Sequence, residues 1–529
     1  MATSMMATKG QLGERVRRTT NVKRRIEATR GRRAAVHVRS ERKKENTSGK
    51  RKKNEKCKAA VVEESTMAMS GAKPLHPLTP LSKEELEAAV GAVKAALGED
   101  NLRFNHVSLQ EPTKASLVEY LESKCDETKL PKREASVRVM RVVGDGADGS
   151  ETVDAVVDMS AGAVTKTHVY PAGTNALLTP DDCSLAEDIV RGDASVLGAL
   201  RDRFGFTDVD KLICDPWSVH MASDSHPAVE AAGSAHPRLV QTFLYARNGS
   251  DDDNQYAHPI DILPTVDLNS GKVVHIFIPE GDAPEGIPMQ SVNYHRDMIE
   301  TNDFLETCFR ADPPKPLDVV QPDGPSFRVD GNDVEWQKWK LTVGFNHREG
   351  LVLHDVSYDG RPVLFRGSLV EMAVPYGDPN PPFEGKCAFD VGDYGLGYCT
   401  NSLKLGCDCL GSIHYFDSGA MCRSDGSAYT VPQAICLHEE DVGLLWKHVE
   451  FRNGHSEARR SRRLVLSSIV TVVNYEVRIH LSQLCVCVCV YVYRLRLRLH
   501  DASLFFFDMR RNSFDTHSCV CVCVCVCMC

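Results

Sequence analysis

The chain has 529 residues, 42% hydrophobic and 26% charged, which is long enough for several sizeable cores and reads as a globular protein. Its net charge of -9 hides an asymmetry, because residues 1–58 hold 20 Lys or Arg against 5 Asp or Glu and the remainder is strongly acidic. No run of 18 or more apolar residues appears, so no transmembrane helix is expected.

Residues 1 to about 70 have few large apolar side chains, so burial cannot offset chain entropy and a basic disordered arm is expected. Its clusters, Arg42-Lys43-Lys44 and Lys50-Arg51-Lys52-Lys53, suit a solvated tail, an extension upstream of the true start, an organelle presequence or a nucleic-acid patch. Met67 and Met69 stand just before the protein-like sequence and are candidate starts. An apolar core of a secretory signal is missing, which leaves the cytoplasm or an organelle (peroxisome or plastid) as the expected address.

The body opens at Pro74. Ser82 followed by Glu85 makes a capping box, and Leu86, Val90, Val93 and Leu97 recur at helical spacing. Period-2 alternation over 136–142 and 152–158 predicts strands. A similar unit follows Pro171, with helices over 184–204 and strands at 239–245 and 272–278. From about 322 to 477 short apolar runs alternate with Gly, Pro and Asp turns. The expected class is α+β, mainly β: small α+β domains over 74–170 and 171–285, then the N-terminal part of a large antiparallel β-sandwich over 300–477.

The residues alone show no P-loop, dinucleotide fingerprint or nucleophile elbow. Gly392, Gly395 and Gly397 follow an acidic residue instead of opening a phosphate cradle. The 19 histidines are dispersed, with no His-x-His pair, and apart from the CxC at Cys407-Asp408-Cys409 the cysteines lack paired zinc spacing. Nine of the 20 cysteines lie between Cys485 and Cys529, so their number says little about redox compartment.

Ordered blocks run from Gln321 to Glu476: Gly344-Phe345-Asn346-His347-Arg348-Glu349-Gly350, Glu371-Met372-Ala373-Val374-Pro375-Tyr376-Gly377-Asp378-Pro379, Ala388-Phe389-Asp390-Val391-Gly392-Asp393-Tyr394-Gly395, Leu405-Gly406-Cys407-Asp408-Cys409, Ile435-Cys436-Leu437-His438-Glu439-Glu440-Asp441, and Asn474-Tyr475-Glu476. In these blocks the chain resembles the copper-containing, topaquinone primary-amine oxidases from about residue 74 to Glu476. The resemblance implies that Tyr475, beside Asn474, is the precursor of topaquinone, formed with copper(II) and dioxygen. A primary amine would add to the quinone as a Schiff base. Asp390 would then be the proton acceptor, with a pKa raised by burial, and Tyr376 would hydrogen-bond the quinone. Aldehyde, ammonia and hydrogen peroxide would be the products, and a homodimer the assembly, with neither membrane nor nucleic acid as main partner. The resemblance also implies a disulfide between Cys409 and Cys436, buried thiols being the alternative, and a roomier substrate channel at Ala388, where relatives carry an aromatic gate.

The resemblance breaks near the quinone motif. Val473 stands where the family has a small residue, Val477 replaces a second Tyr, and the copper histidines have no counterparts, since His480, His500 and His517 lack the spacing. Cys-Val alternation runs over 485–490 and again from Cys519 to Cys529, with Arg-Leu alternation over 494–499 between them. Every Val codon begins with GT, the usual start of an intron, so read-through at Val477 into a dinucleotide repeat is the expected origin of a non-homologous tail over 478–529. A thiol-faced strand, a metal-thiolate cluster and a membrane anchor are the alternatives. As written, the chain is expected to be insoluble or inactive. The rival expectation is a non-enzymatic binding protein that keeps the amine channel and contacts nucleic acid through its basic arm.

Overall fold

The computed structural model describes residues 75–98, 101–142, 150–219, 227–249, 252, 254–282, 284, 286–302, 310, 312–472, 475–480 and 523–525. The basic arm, Val473, Asn474 and nearly all of the tail after His480 lie outside the described residues. No helix among the described residues is long and apolar enough to cross a membrane.

The first unit begins with α1 (Lys83–Leu97), started by the Ser82–Glu85 capping box, which satisfies N–H groups the helix cannot pair internally. β1 (Leu102–Gln110), α2 (Lys114–Glu122), β2 (Glu134–Val142), β3 (Ser150–Asp158) and β4 (Ala163–Val169) follow, and the strands pair in sequence order. Leu86, Val90 and Val93 of α1 pack on Phe104, Val137, Val139 and Val153 of the sheet. Helical and period-2 apolar patterns therefore meet in one core.

The second unit holds α3 (Pro180–Gly192) and α4 (Ala194–Phe204). Asp193 separates them: it ends the first and caps the second through the N–H groups of Ser195 and Val196. β5 (Leu212–Ser218), α5 (Pro227–Ala232), β6 (Leu239–Ala246), β7 (Pro259–Ile260), β8 (Leu263–Asp267) and β9 (Lys272–Phe277) complete it, with sheet order β5-β6-β8-β9 and β7 beside β6.

The third part is mainly β. β10 (Phe327–Asp330), β11 (Asp333–Trp336), β12 (Trp339–Asn346), β13 (Gly350–Tyr358) and β14 (Arg361–Gly367) form a five-stranded meander. β15 (Glu371–Pro375) and β16 (Cys387–Phe389) make a short ribbon. β17 (His414–Phe416), the small β18–β19 hairpin (Met421–Cys422 with Ala428–Tyr429), β20 (Ile435–Val449), β21 (Ser456–Val472) and β22 (Tyr475–His480) follow, with sheet order β17-β20-β21-β22. β23 (Cys523–Cys525) lies against β15. Val343, Leu351 and Leu353 of the meander share a core with Phe416, Ile435, Leu437 and Leu466 of the second sheet, which is sandwich packing. Every named strand pair among the described residues is antiparallel.

One segment, 177–182, ties these parts together. The Leu177 carbonyl accepts from Asn105 of β1 at 2.7 Å and from Arg238 at 3.1 Å. Leu178 N–H donates to the Asp393 carbonyl at 2.7 Å, and Asp181 accepts from Ser424 N–H and hydroxyl at 2.8 Å each. The buried Asp182 takes a bidentate pair from Arg238 at 3.0 and 2.9 Å, and a third bond from Arg103 of β1 at 2.5 Å. Burial pushes its carboxyl up, but Arg238 and then Arg103 outweigh that and leave it below the usual range. Replacing Arg238 by Met should therefore leave a buried charge poorly compensated and cost about 3–5 kcal/mol of unfolding free energy. Lys338→Met, which removes the exposed pair with Asp359, should cost under about 1 kcal/mol; urea denaturation of both variants checks the contrast.

Candidate active site

In the β15–β16 ribbon Ala373 pairs with Phe389, Val374 with Ala388, and Pro375 with Cys387. Just past Phe389 the chain makes a wide π-type turn over Asp390–Tyr394, closed by Gly395 N–H on the Asp390 carbonyl at 3.1 Å. A Cβ on Gly395, where φ is +81°, would lie 2.7 Å from the His347 carbonyl oxygen, and one on Gly397 would lie 2.1 Å from that of Asn346. These glycines let the turn lie directly on the β12–β13 hairpin, a packing role rather than a phosphate cradle.

Asp390 is 5% exposed. Burial pushes its carboxyl up, and the neighbouring Glu371 and Asp393 push it further, to about 6. Both neighbours are fixed by backbone donors. Glu371 accepts from the N–H groups of Met372 and Val391 at 3.0 Å and of Gly392 at 3.3 Å, and Asp393 accepts from Phe389 N–H at 2.8 Å. Three carboxyl groups thus surround one turn, and the most buried of them is the aspartate that sequence resemblance singles out.

Tyr475 opens β22, where its backbone pairs with Val472; its side chain lies outside the described residues, as does Asn474. The strand before it reaches the Asp390 turn through residues 399–401. Thr471 N–H donates to the Cys399 carbonyl at 2.8 Å, and Thr400 bridges to Val470. Burial first, and the Asp390 charge second, push the Cys399 thiol up to about 12. Cys399 therefore stands between the acidic turn and the hairpin that carries Tyr475.

Tyr376 is placed differently. It follows Pro375 at one end of the ribbon, whereas Asp390 follows Phe389 at the other. Its ring is 38% exposed, meets the Trp217 ring edge-on at 5.2 Å, and has the Lys386 ammonium 5.0 Å from its centre. The ribbon separates Tyr376 from Asp390 rather than clustering the two.

Ala388 is 3% exposed and belongs to the core that also holds Leu369, Val391 and Leu396. Alternation along β16 turns Ala388 inward and leaves Phe389, at 43% exposure, outward. Cys409 and Cys436 meet in an apolar cluster with Leu403 and Ile469. The contact with Cys409 and then burial push the Cys436 thiol up.

Glu371, Asp393, Cys399 and Lys386 escape the sequence reading. Glu371 opens one of the family-like blocks, yet only its hydrogen bonds from the Val391 and Gly392 N–H groups show that it faces the Asp390 turn. Among the described residues no group of three His, Cys, Asp or Glu could hold a metal ion.

With this geometry in hand, the comparisons agree in chain order. Sequence models of the copper amine oxidase N2 domain, N3 domain and enzyme domain match residues 76–170, 181–294 and 328–481. The chain belongs to the copper amine oxidase family. It is 40% identical over 412 residues to the primary amine oxidase of Arthrobacter sp. (strain P1), covering 76% of this chain and 57% of that relative. It is 37% identical over 450 residues to the peroxisomal N-methylputrescine oxidase 1 of Nicotiana tabacum, covering 77% and 54%. The crystal structure of a copper-containing benzylamine oxidase from Hansenula polymorpha matches with a TM-score of 0.66 at 30% identity, over 77% of this chain and 62% of that one. The chain spans a little over half the length of the curated relatives it matches.

The raised Asp390 carboxyl makes a signed prediction. Between the unfolded value near 3.8 and the folded value of about 6 the folded state holds a proton that the unfolded state has lost. Stability therefore falls as pH rises through that window, by ~3 kcal/mol in all. Asp390→Asn should raise stability by up to that amount above pH 6 and leave it unchanged below about pH 3. Glu371→Gln, which removes the second cause of the shift, should move the window to lower pH; urea titrations at stepped pH test both.

Proposed function

We propose that this chain carries the amine-binding and proton-abstracting part of a copper/topaquinone primary-amine oxidase, with Asp390 as its general base. The observation that supports this most is the Asp390 carboxyl itself: buried, flanked by Glu371 and Asp393, and pushed up to about 6. A base with that pKa is ionised near neutrality yet still basic enough to accept a carbon-bound proton. Tyr475 is the proposed quinone precursor, with Asn474 beside it and Tyr376 as a hydrogen-bonding partner. When bound, the quinone supplies an electrophilic carbonyl for a primary amine. The chain's own part is to keep water from Asp390, to hold Glu371 and Asp393 around it on backbone donors, and to let its carboxylate take the proton from the carbon beside the amine nitrogen. Aldehyde, ammonia and peroxide as products, dioxygen as co-substrate and a homodimer belong to the same proposal.

We further propose that this chain does not supply the copper ligands itself, because its 529 residues contain no His-x-His pair. This favours a second reading for a chain of exactly this sequence: an inactive product, or a binding protein without oxidase chemistry. Two experiments separate the readings. Purified chain treated with copper and air should show no visible quinone band, and a band would overturn the inactive reading. A chimaera in which the residues after Glu476 come from the Arthrobacter relative should develop the band and turn over amines. Asp390→Asn in that chimaera should lower turnover about 10²–10⁴-fold; undiminished turnover would overturn the role of Asp390.

Cys409 and Cys436 are further proposed to close a disulfide under oxidising conditions. Oxidised glutathione would take the two electrons, two thiol protons would leave, and the S–S bond would form. Mass spectrometry should show the loss of two hydrogens in the wild type and not in Cys409→Ser. The bond should add about 3 kcal/mol to unfolding, as read by urea denaturation with and without reductant.

A further inference from the structure

Lys386 stands just before β16, and its ammonium enters a box of five aromatic rings. The nitrogen lies 4.6 Å from the centre of the Trp217 ring, 5.0 Å from Tyr376, 5.2 Å from Phe243, 5.7 Å from Tyr256 and 5.9 Å from Tyr245. It also donates to the Tyr245 hydroxyl at 3.2 Å. The rings come from β5, β6, the turn Gln255–Ala257 and the end of β15. Edge-on contacts hold them in place: Trp217 with Phe243 at 6.0 Å, Trp217 with Tyr376 at 5.2 Å, and Tyr245 with Tyr256 at 5.2 Å.

Lys386 is 7% exposed, an arrangement that a lysine does not adopt without compensation. Taking an ammonium out of water costs several kcal/mol, and ring faces repay part of it through their quadrupoles. The remaining counter-charge is Asp215 on β5. It is 1% exposed, and the donor that acts on it is the Trp217 indole N–H. Burial holds the Lys386 ammonium below the usual lysine range, with Asp215 opposing that shift. Burial also pushes the Asp215 carboxyl up to about 6, with the Trp217 N–H and Lys386 pulling it down. Five rings thus converge on a single positive charge, and the buried Asp215 carboxylate acts on it electrostatically from β5.

We propose that this box is a subsite for a small primary alkylammonium ion, and that Lys386 fills it from within as a tethered occupant that shuts it to free amines. The ligand class follows from the lining: ring faces select a cation, one carboxylate balances one charge, and the Tyr245 hydroxyl accepts one N–H. The inference deepens the oxidase reading only in that Tyr376 belongs to both. The box itself stands on the rings and Asp215 and needs no quinone.

The test uses the full chain, methylammonium chloride as probe and sodium chloride at equal ionic strength as control. Lys386→Ala vacates the box, whereas Lys386→Met keeps it filled without charge. Methylammonium should raise the melting temperature of Lys386→Ala by several degrees and bind it saturably by calorimetry, because a ligand that binds only the folded state stabilises it. Wild type and Lys386→Met should not respond, and adding Asp215→Asn to Lys386→Ala should weaken binding at least about tenfold. The proposal is overturned if Lys386→Ala stays unfolded even with methylammonium, if it folds without a saturable response, if wild type responds equally, or if Asp215→Asn leaves the affinity unchanged. None of these outcomes touches the Asp390→Asn result in the chimaera, so the two readings fail independently.

Discussion

The buried carboxylate of Asp182 is the constraint on which the rest of the molecule depends. It is the point where a strand of the first unit (Arg103), a helix of the second (Asp182) and the residue preceding β6 (Arg238) meet inside the protein. Removing a carboxylate from water is costly, and the cost is offset only while both guanidinium groups and the Thr179 cap are in place. The same segment carries Leu178, whose N–H holds the Asp393 carbonyl. The charge arrangement around Asp390 is therefore anchored to the packing of all three parts, and not to the local turn alone.

The site gains its character from placing like charges where water is scarce. A turn aspartate in solution would be an ordinary acid. Here the ribbon delivers Glu371 from β15, the turn delivers Asp393, and backbone N–H groups fix both. Gly395 and Gly397 allow the turn to press on the hairpin beneath it, and Asp390 is buried in that turn. Burial and like charge act in the same direction, so the shift does not rely on either alone.

Legibility follows the range of the interactions. The α1 helix could be read because its start depends on Ser82 and Glu85, three residues apart. The helical stretch after residue 184 was equally plain, although its division at Asp193 shows only in the cap bonds. The mainly β, antiparallel character from 322 onward was visible in the turn residues. Asp390 is legible by likeness of its block, whereas the reason for its raised pKa is not, because Glu371, 19 residues earlier, reaches the turn only through the folded chain's hydrogen bonds to Val391 and Gly392. Which of Ala388 and Phe389 meets the core is not legible either, because a short strand does not reveal which of its two faces is buried. The Lys386 box gathers five rings from four separate segments, and no local pattern announces it.

Several of the bonds that join the parts span great lengths of chain. Ser424 grips Asp181 across 243 residues, and the Tyr398 hydroxyl reaches the Asn105 carbonyl across 293. Closing such loops early is entropically unfavourable, and topologies that depend on them fold slowly. During synthesis the two small units can each build a core as they emerge, but Asp181 waits for a partner made hundreds of residues later. The nascent protein can therefore close the Asp182 joint once Arg238 has emerged, but a ribosome that stops short of residue 424 leaves Asp181 without the contact that ties it to the third part.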